Sequence, residues 1–322
     1  MIDKQYTYAV ARIRSKELML LSKSDVEQIM SCKSEKECLR LLVDKGWGKT
    51  GDETAEQLLS SEREKTWELM KELVEDMSEF DTFLYINDFH NLKAAIKQVY
   101  TNTSRNDIFI SHGTIRPELI INAVQEHNFS LLPEFMQDCA EEAFYVQLHT
   151  GDSQLCDVIL DKAALETTYR KGKESGVEVL SEYVELLVAA ADINIAIRSS
   201  RTGKDKAFLE RALVKCDTLD IHSLINAVME GEEAIYEYLS VTVYADAVQA
   251  IKTSPSAFEC WCDNLIISHI QTQKFNSFTL SPLAAYILAK ENEIKTMRIV
   301  LSGKRNDISD HSIRERLREM YV

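Results

Sequence analysis

Several stretches of this chain carry residue types that could do chemistry. Gly46-Trp47-Gly48-Lys49-Thr50 ends like a phosphate-binding loop, in which glycines let backbone N–H groups close round a phosphate while a lysine neutralises it. That cradle also needs a glycine where Val43 stands, so the stretch reads as a helix-terminating turn. Cys260-x-Cys262 with His269 offers two thiolates and an imidazole, but no second close pair completes four ligands, and buried thiols on a helix are expected. The seven histidines show no His-Glu-x-x-His spacing. Glu141-Glu142 and Glu232-Glu233 are adjacent in sequence and point to different helix faces, so neither pair forms an acid/base couple. No nucleophile stands with its base. We therefore expect no catalytic, cofactor-binding or metal-binding residues and no small-molecule ligand.

The bulk composition supports a structural reading. The chain has 322 residues, enough for one large domain or two or three small ones. Hydrophobic residues make up 45% and charged residues 28%, a globular rather than disordered balance. With only 10 glycines and 4 prolines and abundant Leu, Ala, Glu and Lys, an all-α fold is favoured. The formal charge of −15 argues against a nucleic-acid binder, which needs a basic face for phosphates. Local basicity from Lys295 to Val322 reads as a solvated helix end with cations near its C-terminus. Asp3 and Lys4 interrupt the start and no apolar targeting segment follows. The most apolar candidate for a membrane span, Leu186–Ile197, is cut by Asp192 and Asn194. Seven scattered cysteines read as reduced thiols in a cytosol, where the sequons at Asn102 and Asn128 carry no weight.

The positioning elements are helices. A stripe of Tyr6, Val10, Ile13, Leu18 and Leu21 opens the chain, and Ser22–Asp25 and Ser34–Glu37 cap two short helices. A long charged helix is expected over Thr54–Phe80 and another over Asp81–Val99. Further helices are expected from Pro133 through Phe144, at 152–171, 179–197 and 239–251, and from Pro255 to Gln273. Near the end, Ser281 is read as an N-cap and Pro282 as the first helical residue, with Leu283, Tyr286, Ile287, Ile294, Met297 and Leu301 inward and Gly303 as the stop. Ser309 or Asp310 then caps a short helix carrying Ile313, Leu317 and Met320.

This unit of long helix, turn and short helix recurs. Thr114–Val124 and Thr218–Val228 both end in Ile-Asn-Ala-Val, and Ile308 and Ile313 take the places of Ile115 and Ile120 in a third copy. Asn91-Leu92-Lys93, Asn194-Ile195-Ala196 and Glu293-Ile294-Lys295 lie at comparable distances upstream. Internal repetition in this order sets the expected organisation: helical repeats at 1–127, 128–230 and 231–322. Asn91 and Asn194 are expected to bond a neighbouring group within the helical bundle or, alternatively, to touch a partner. Arg298 is expected to pair with a carboxylate of its own repeat.

Once the repeats are placed, the residues resemble a known family. Tyr8-Ala-Val-Ala-Arg12-Ile13-Arg14 with the following Leu-Leu-Ser-Lys-Ser-Asp25 is similar to the N-terminus of the C subunit of archaeal and bacterial V/A-type rotary ATPases, whose eukaryotic counterpart is the d subunit. Asp88-Phe-His-Asn91-Leu92-Lys93 resembles its first Asp-x-x-Asn-Leu-Lys element and Ala191-Asp192-Ile-Asn194-Ile195 followed by Arg198 its second, with Ala196 where a lysine or similar residue is usual. Cys156–Lys162 resembles the segment before the second. The longest likeness is Ala285–Ile299, containing Glu291, Glu293 and Arg298, followed by Gly303-Lys304 and Ile313–Leu317. The resemblance implies three pseudo-equivalent helical subdomains forming a funnel-shaped socket. It implies a non-catalytic central-stalk part that receives the central shaft subunits of the ATPase head and sits on the membrane rotor ring, at the cytoplasmic face and peripheral to the membrane. Asp88, Asn91, Asp192, Asn194, Glu291, Glu293 and Arg298 would be its structural motif residues. A helical-repeat scaffold for some other protein would share the triplication but not the tail.

Overall fold

The computed structural model describes residues 6–49, 51, 53–103, 105 and 107–322. Among these the chain is all-α, without a strand. In order the helices are α1 (Thr7–Glu17), α2 (Lys23–Met30), α3 (Glu35–Asp44), α4 (Ala55–Leu73), α5 (Tyr85–Thr101), α6 (Pro117–Gln125), α7 (Glu134–Thr150) and α8 (Ser153–Glu174). They continue with α9 (Glu178–Thr202), α10 (Lys206–Ala212), α11 (Ile221–Glu230), α12 (Glu232–Ser240), α13 (Ala247–Thr253), α14 (Pro255–Ile270), α15 (Ser281–Arg305) and α16 (Asp310–Arg314). Short 3-10 turns lie at Met77–Phe83, Phe129–Leu131 and Gln271–Phe275.

Capping chemistry sets many of these starts. Ser22 and Asp25 exchange bonds in a full capping box, and Thr54 and Gln57 do the same at α4. Ser34 accepts from the Glu37 N–H, but the Glu37 carboxylate reaches past it to the Lys33 N–H. Ser254 caps α14 through the Ala257 N–H, with Pro255 at the first position, where its missing donor costs nothing.

Two compact units result. One gathers the chain ends: the residues up to Met77 and Asp246–Val322, with Val177–Val179. The other holds Ser78–Gly176 and Leu180–Ala245. The units cut across the repeat boundaries expected at 127 and 230. In the first unit α15 packs on α1, α3, α4, α14 and α16. Its first ten residues, Ser281–Lys290, are all buried, as befits a helix apolar nearly all round. Ile294, Met297, Val300 and Leu301 join Leu21, Val26, Ile29, Met30, Leu42 and Trp47 in one core. In the second unit α5 packs on α6, α7 and α8 around Phe89, Leu92, Ile96, Ile120, Met136 and Leu160.

Several expectations need correction. Leu18 is 85% exposed, because α1 ends at Glu17 and the turn sends Leu20 and Leu21 inward instead. The 54–80 helix ends at Leu73, where Val74 goes extended. The 239–251 helix is two helices, broken at Val241–Asp246. There the Thr242 hydroxyl donates to the Leu239 carbonyl and accepts from the Tyr244 N–H, offering the backbone an alternative to the helix. Ser281 lies inside α15, with Leu280 at the cap position. Gly303 is not a stop. The helix runs to Arg305, Asp307 takes the left-handed turn (φ 51°), and Ser309 caps α16.

Gly303 is needed for approach rather than for a turn. A Cβ there would lie 2.5 Å from Ile313 Cδ1, so the glycine lets α16 close on α15. Gly303→Ala should lose about 1–3 kcal/mol in urea unfolding through overpacking, despite alanine's better helix propensity. Ile313→Ala, which removes both Cδ1 and Cγ1 (2.5 and 2.6 Å from that Cβ), should cost less in the Gly303→Ala background than in the wild type. An unchanged or raised stability for Gly303→Ala would contradict this packing.

Candidate functional site

The long helices carry buried polar residues that hold loops in place. On α5, Asp88 is fully buried and accepts from the Thr114 N–H (3.1 Å), the Thr114 hydroxyl (2.7 Å) and the Ile115 N–H (3.2 Å). One turn on, Asn91 grips Ile110 from both sides: its Nδ2 donates to the carbonyl (2.9 Å) and its Oδ1 accepts the N–H (2.8 Å). The loop before α6 is thus fastened to α5, and donors that would be orphaned in the interior are satisfied.

On α9 the same two loop positions are held by different helix positions. Glu185 takes the Thr218 N–H (2.8 Å) and hydroxyl (2.7 Å), and Asp192 accepts the Val214 N–H (3.0 Å). Thr114 and Thr218, and likewise Ile110 and Val214, are separated by the same 104 residues as the two Ile-Asn-Ala-Val tetrapeptides. On the helix side the spacing widens from three residues to seven, still one face of an α-helix. Asn194 takes no part: it is exposed, and Asp192 does the work that Asn91 does on α5.

Electrostatically the carboxylates differ. Burial works against ionised Glu185, yet Lys173, Thr218 and Tyr169 outweigh it and draw its carboxyl down to about 2. Burial raises Asp88, partly offset by Thr114 and Ile115. Asp192 is raised by burial to about 7, against one backbone donor and the charge of Lys162, and its Oδ2 has no partner.

In the other unit α15 presents a buried ion cluster. The Lys290 ammonium lies 3.1 Å from Glu62 Oε2 and 2.9 Å from Glu293 Oε2, and 4.5 Å from the centre of the Trp47 ring. Burial alone would depress Lys290, but Glu293 and Glu62 outweigh it and the net shift is upward. Glu293 also accepts the Leu21 N–H, and Glu62 the Gly48 N–H. Around this core Glu291 forms a two-pronged pair with Arg63 (2.6 Å each). Arg298 pairs with Glu56 at 3.3 Å, on the N-terminal helix α4 rather than within its own repeat.

The other stretches bond within the fold. Gly46 and Gly48 are left-handed turn residues, and the Gly48 and Lys49 N–H groups that would cradle a phosphate are held by Glu62 and Glu53. Thr50 lies outside the described residues. Cys260 donates to the Leu317 carbonyl, and burial pushes the Cys262 thiol up to about 12. Among the described residues no three His, Cys, Asp or Glu converge as metal ligands. The groups fasten helices and loops to one another. Lys290, Glu62 and Glu185 escaped sequence reasoning; the signal was a lysine inside an apolar run with a glutamate three residues on.

Asp192 yields a pH test. Its carboxyl ordinarily titrates near 3.8 and is raised to about 7 in the fold, so the folded chain holds the extra proton. Stability should fall as pH rises from about 4 to about 7 and stay level above. Asp192→Asn should leave stability near pH 4 almost unchanged and gain about 2–4 kcal/mol at pH 8. Urea unfolding at the two pH values checks it; an equal effect at both would contradict the assignment.

Comparison with known proteins bears on this architecture. The family described as ATP synthase (C/AC39) subunit matches residues 9–316. The chain is similar to the C subunit of the V-type sodium ATPase of Enterococcus hirae, with 25% identity over 317 residues, covering 96% of this chain and 97% of that protein. It is also similar to the C subunits of the A-type ATP synthases of Thermococcus kodakarensis (21% identity, covering 92% and 86%) and Methanosarcina acetivorans (23%, covering 97% and 92%). A helical chain whose buried charges fasten elements together, matched from near its start to near its end, belongs to the ATP synthase (C/AC39) subunit family.

Proposed function

We propose that this protein is a non-catalytic adaptor of the central stalk in a V/A-type ATPase or ATP synthase. It joins the central shaft of the catalytic head to the membrane rotor ring and so couples ATP chemistry to proton or sodium transport. The observation that carries the reading is the end-to-end family match, with relatives of similar length named as the C subunits of such complexes. Three helical repeats round an axis, at 1–127, 128–230 and 231–322, would form a funnel-shaped socket, seated on a ring at one side and open to a shaft at the other. The buried groups fit a part that transmits torque, because they are spent on rigidity. No helix among the described residues is long and apolar enough to cross a membrane, so attachment at the cytoplasmic face would run through the complex.

With a formal charge of −15, association should be steered toward basic surfaces of ring or shaft and weaken with salt. Tagged protein mixed with detergent-solubilised membranes of its source cell should recover ring and shaft subunits. Recovery should fall as salt rises from about 50 mM to about 500 mM, beyond the range of effective charge steering. Recovery of other proteins with no ATPase component would overturn the adaptor role and favour a scaffold for a different partner. Recovery that ignores salt would overturn the electrostatic part alone.

A further inference from the structure

Helices α8 and α9 meet near the short connection that joins them. A Cβ on Gly172 would lie 2.5 Å from Val184 Cγ1, and Tyr169 and Lys173 both reach Glu185 at 2.9 Å. Toward their other ends a groove of about 730 Å³ opens, with Ser153–Leu165 of α8 on one wall, Ile195–Thr202 of α9 on the other, and Phe208 of α10 beside them. The α8 wall is about 18 Å long at 1.5 Å per residue, three helical turns.

The lining of this groove has an apolar part and a cationic part. Val158, Leu165, Ile195 and Phe208 are only half-buried, and Val158 and Leu165 stand seven residues apart, a spacing another helix can match. Lys162, Arg198 and Lys204 supply the charge. Lys162 donates to the Glu210 carbonyl (3.0 Å), with Glu166 no nearer than 3.9 Å. Lys204 donates to the Gln154 side chain (2.8 Å) and lies over the Phe208 ring. The Arg198 guanidinium has no partner among the described residues. The carboxylates in the lining, Asp157 and Asp161, are already neutralised by Lys97 and Lys93 of α5. Lys162 has only Glu166 within 4 Å, at 3.9 Å, and among the described residues Arg198 and Lys204 pair with no carboxylate.

We propose that this groove seats an amphipathic helix of another subunit of the ATPase complex. Its apolar face would lie on Val158, Leu165, Ile195 and Phe208, and its flanking Asp or Glu residues would pair with Lys162, Arg198 and Lys204. Charge complementarity selects an acidic helix; a basic one would meet Arg198 and Lys204, which pair with no carboxylate among the described residues, beside the loosely paired Lys162. The assignment rests on the stalk-adaptor reading and adds a docking surface with its chemistry.

The test places the photoreactive residue p-benzoylphenylalanine at position 208, in place of Phe208 of the full chain, and assembles that chain into the complex. After irradiation the cross-linked peptides are sequenced by mass spectrometry. The expected result is an adduct to a segment of another subunit that has helical apolar spacing and net negative charge. Its yield should drop about tenfold in the Arg198→Glu variant, the arginine side chain making no bond among the described residues, while the thermal melt stays unchanged. The groove assignment is overturned if the chain co-purifies with the complex but the probe yields no adduct. Adducts only to lipid, a small molecule, a basic segment or a second copy of this chain, or a yield insensitive to charge reversal, overturn it equally. A chain absent from the complex would sink the stalk-adaptor reading itself, and this proposal with it.

Discussion

The first unit depends on one buried ammonium. Lys290 bridges Glu62 of α4, which also pairs with Lys65, and Glu293 of its own helix, and those carboxylates in turn hold backbone N–H groups at Gly48 and Leu21. Two segments from one end of the chain are thereby tied to a helix from the other. Hydrophobic burial drives α15 into the core but is non-directional, and it does not fix which turn lies against which helix. Two carboxylates sharing one lysine do fix it, since a slipped register would strand a charge in the interior. For a part proposed to carry torque, tying the segments round Leu21, Gly48 and Glu62 to α15 makes these elements one fastened unit.

The second unit solves a related problem with smaller groups. Loops before α6 and α11 would leave backbone donors inside the protein, and helix side chains accept them. The two solutions are alike on the loop side and differ on the helix side. Asp88 and Asn91 do the work on α5, Glu185 and Asp192 on α9. Where Asn91 supplies both a donor and an acceptor to Ile110, Asp192 supplies one acceptor to Val214 and keeps an oxygen unpaired. One face of a helix is thus wide enough for residues at different spacings to hold loop positions that are the same 104 residues apart.

How much of this was legible follows from the range of each interaction. Helix type and most starts were, because capping and 3.6-residue periodicity are local, as at Ser22, Ser34 and Pro255. Helix ends were less so. Gly303 looked like a stop, whereas contact with Ile313, ten residues on, is what requires a glycine. The aligned Asn91 and Asn194 looked equivalent and are not, since burial depends on which face meets the neighbouring loop. Glu62, 228 residues from Lys290, is one acidic residue among many on a charged helix, and nothing local marks it as the one turned inward.

The most direct test of this account is native-state amide hydrogen exchange on the wild type and Lys290→Met. The Leu21 N–H, donated to Glu293, should exchange in the wild type only with the opening that also exposes α15. In the variant Glu62 keeps Lys65 (2.6 Å) but Glu293 is left uncompensated, so protection at Leu21 and along α15 should fall together by about 3–5 kcal/mol. Leu21 exchanging freely in the wild type, or a variant that loses protection at one of the two segments while the other keeps it, would contradict the claim that the buried lysine joins the chain ends.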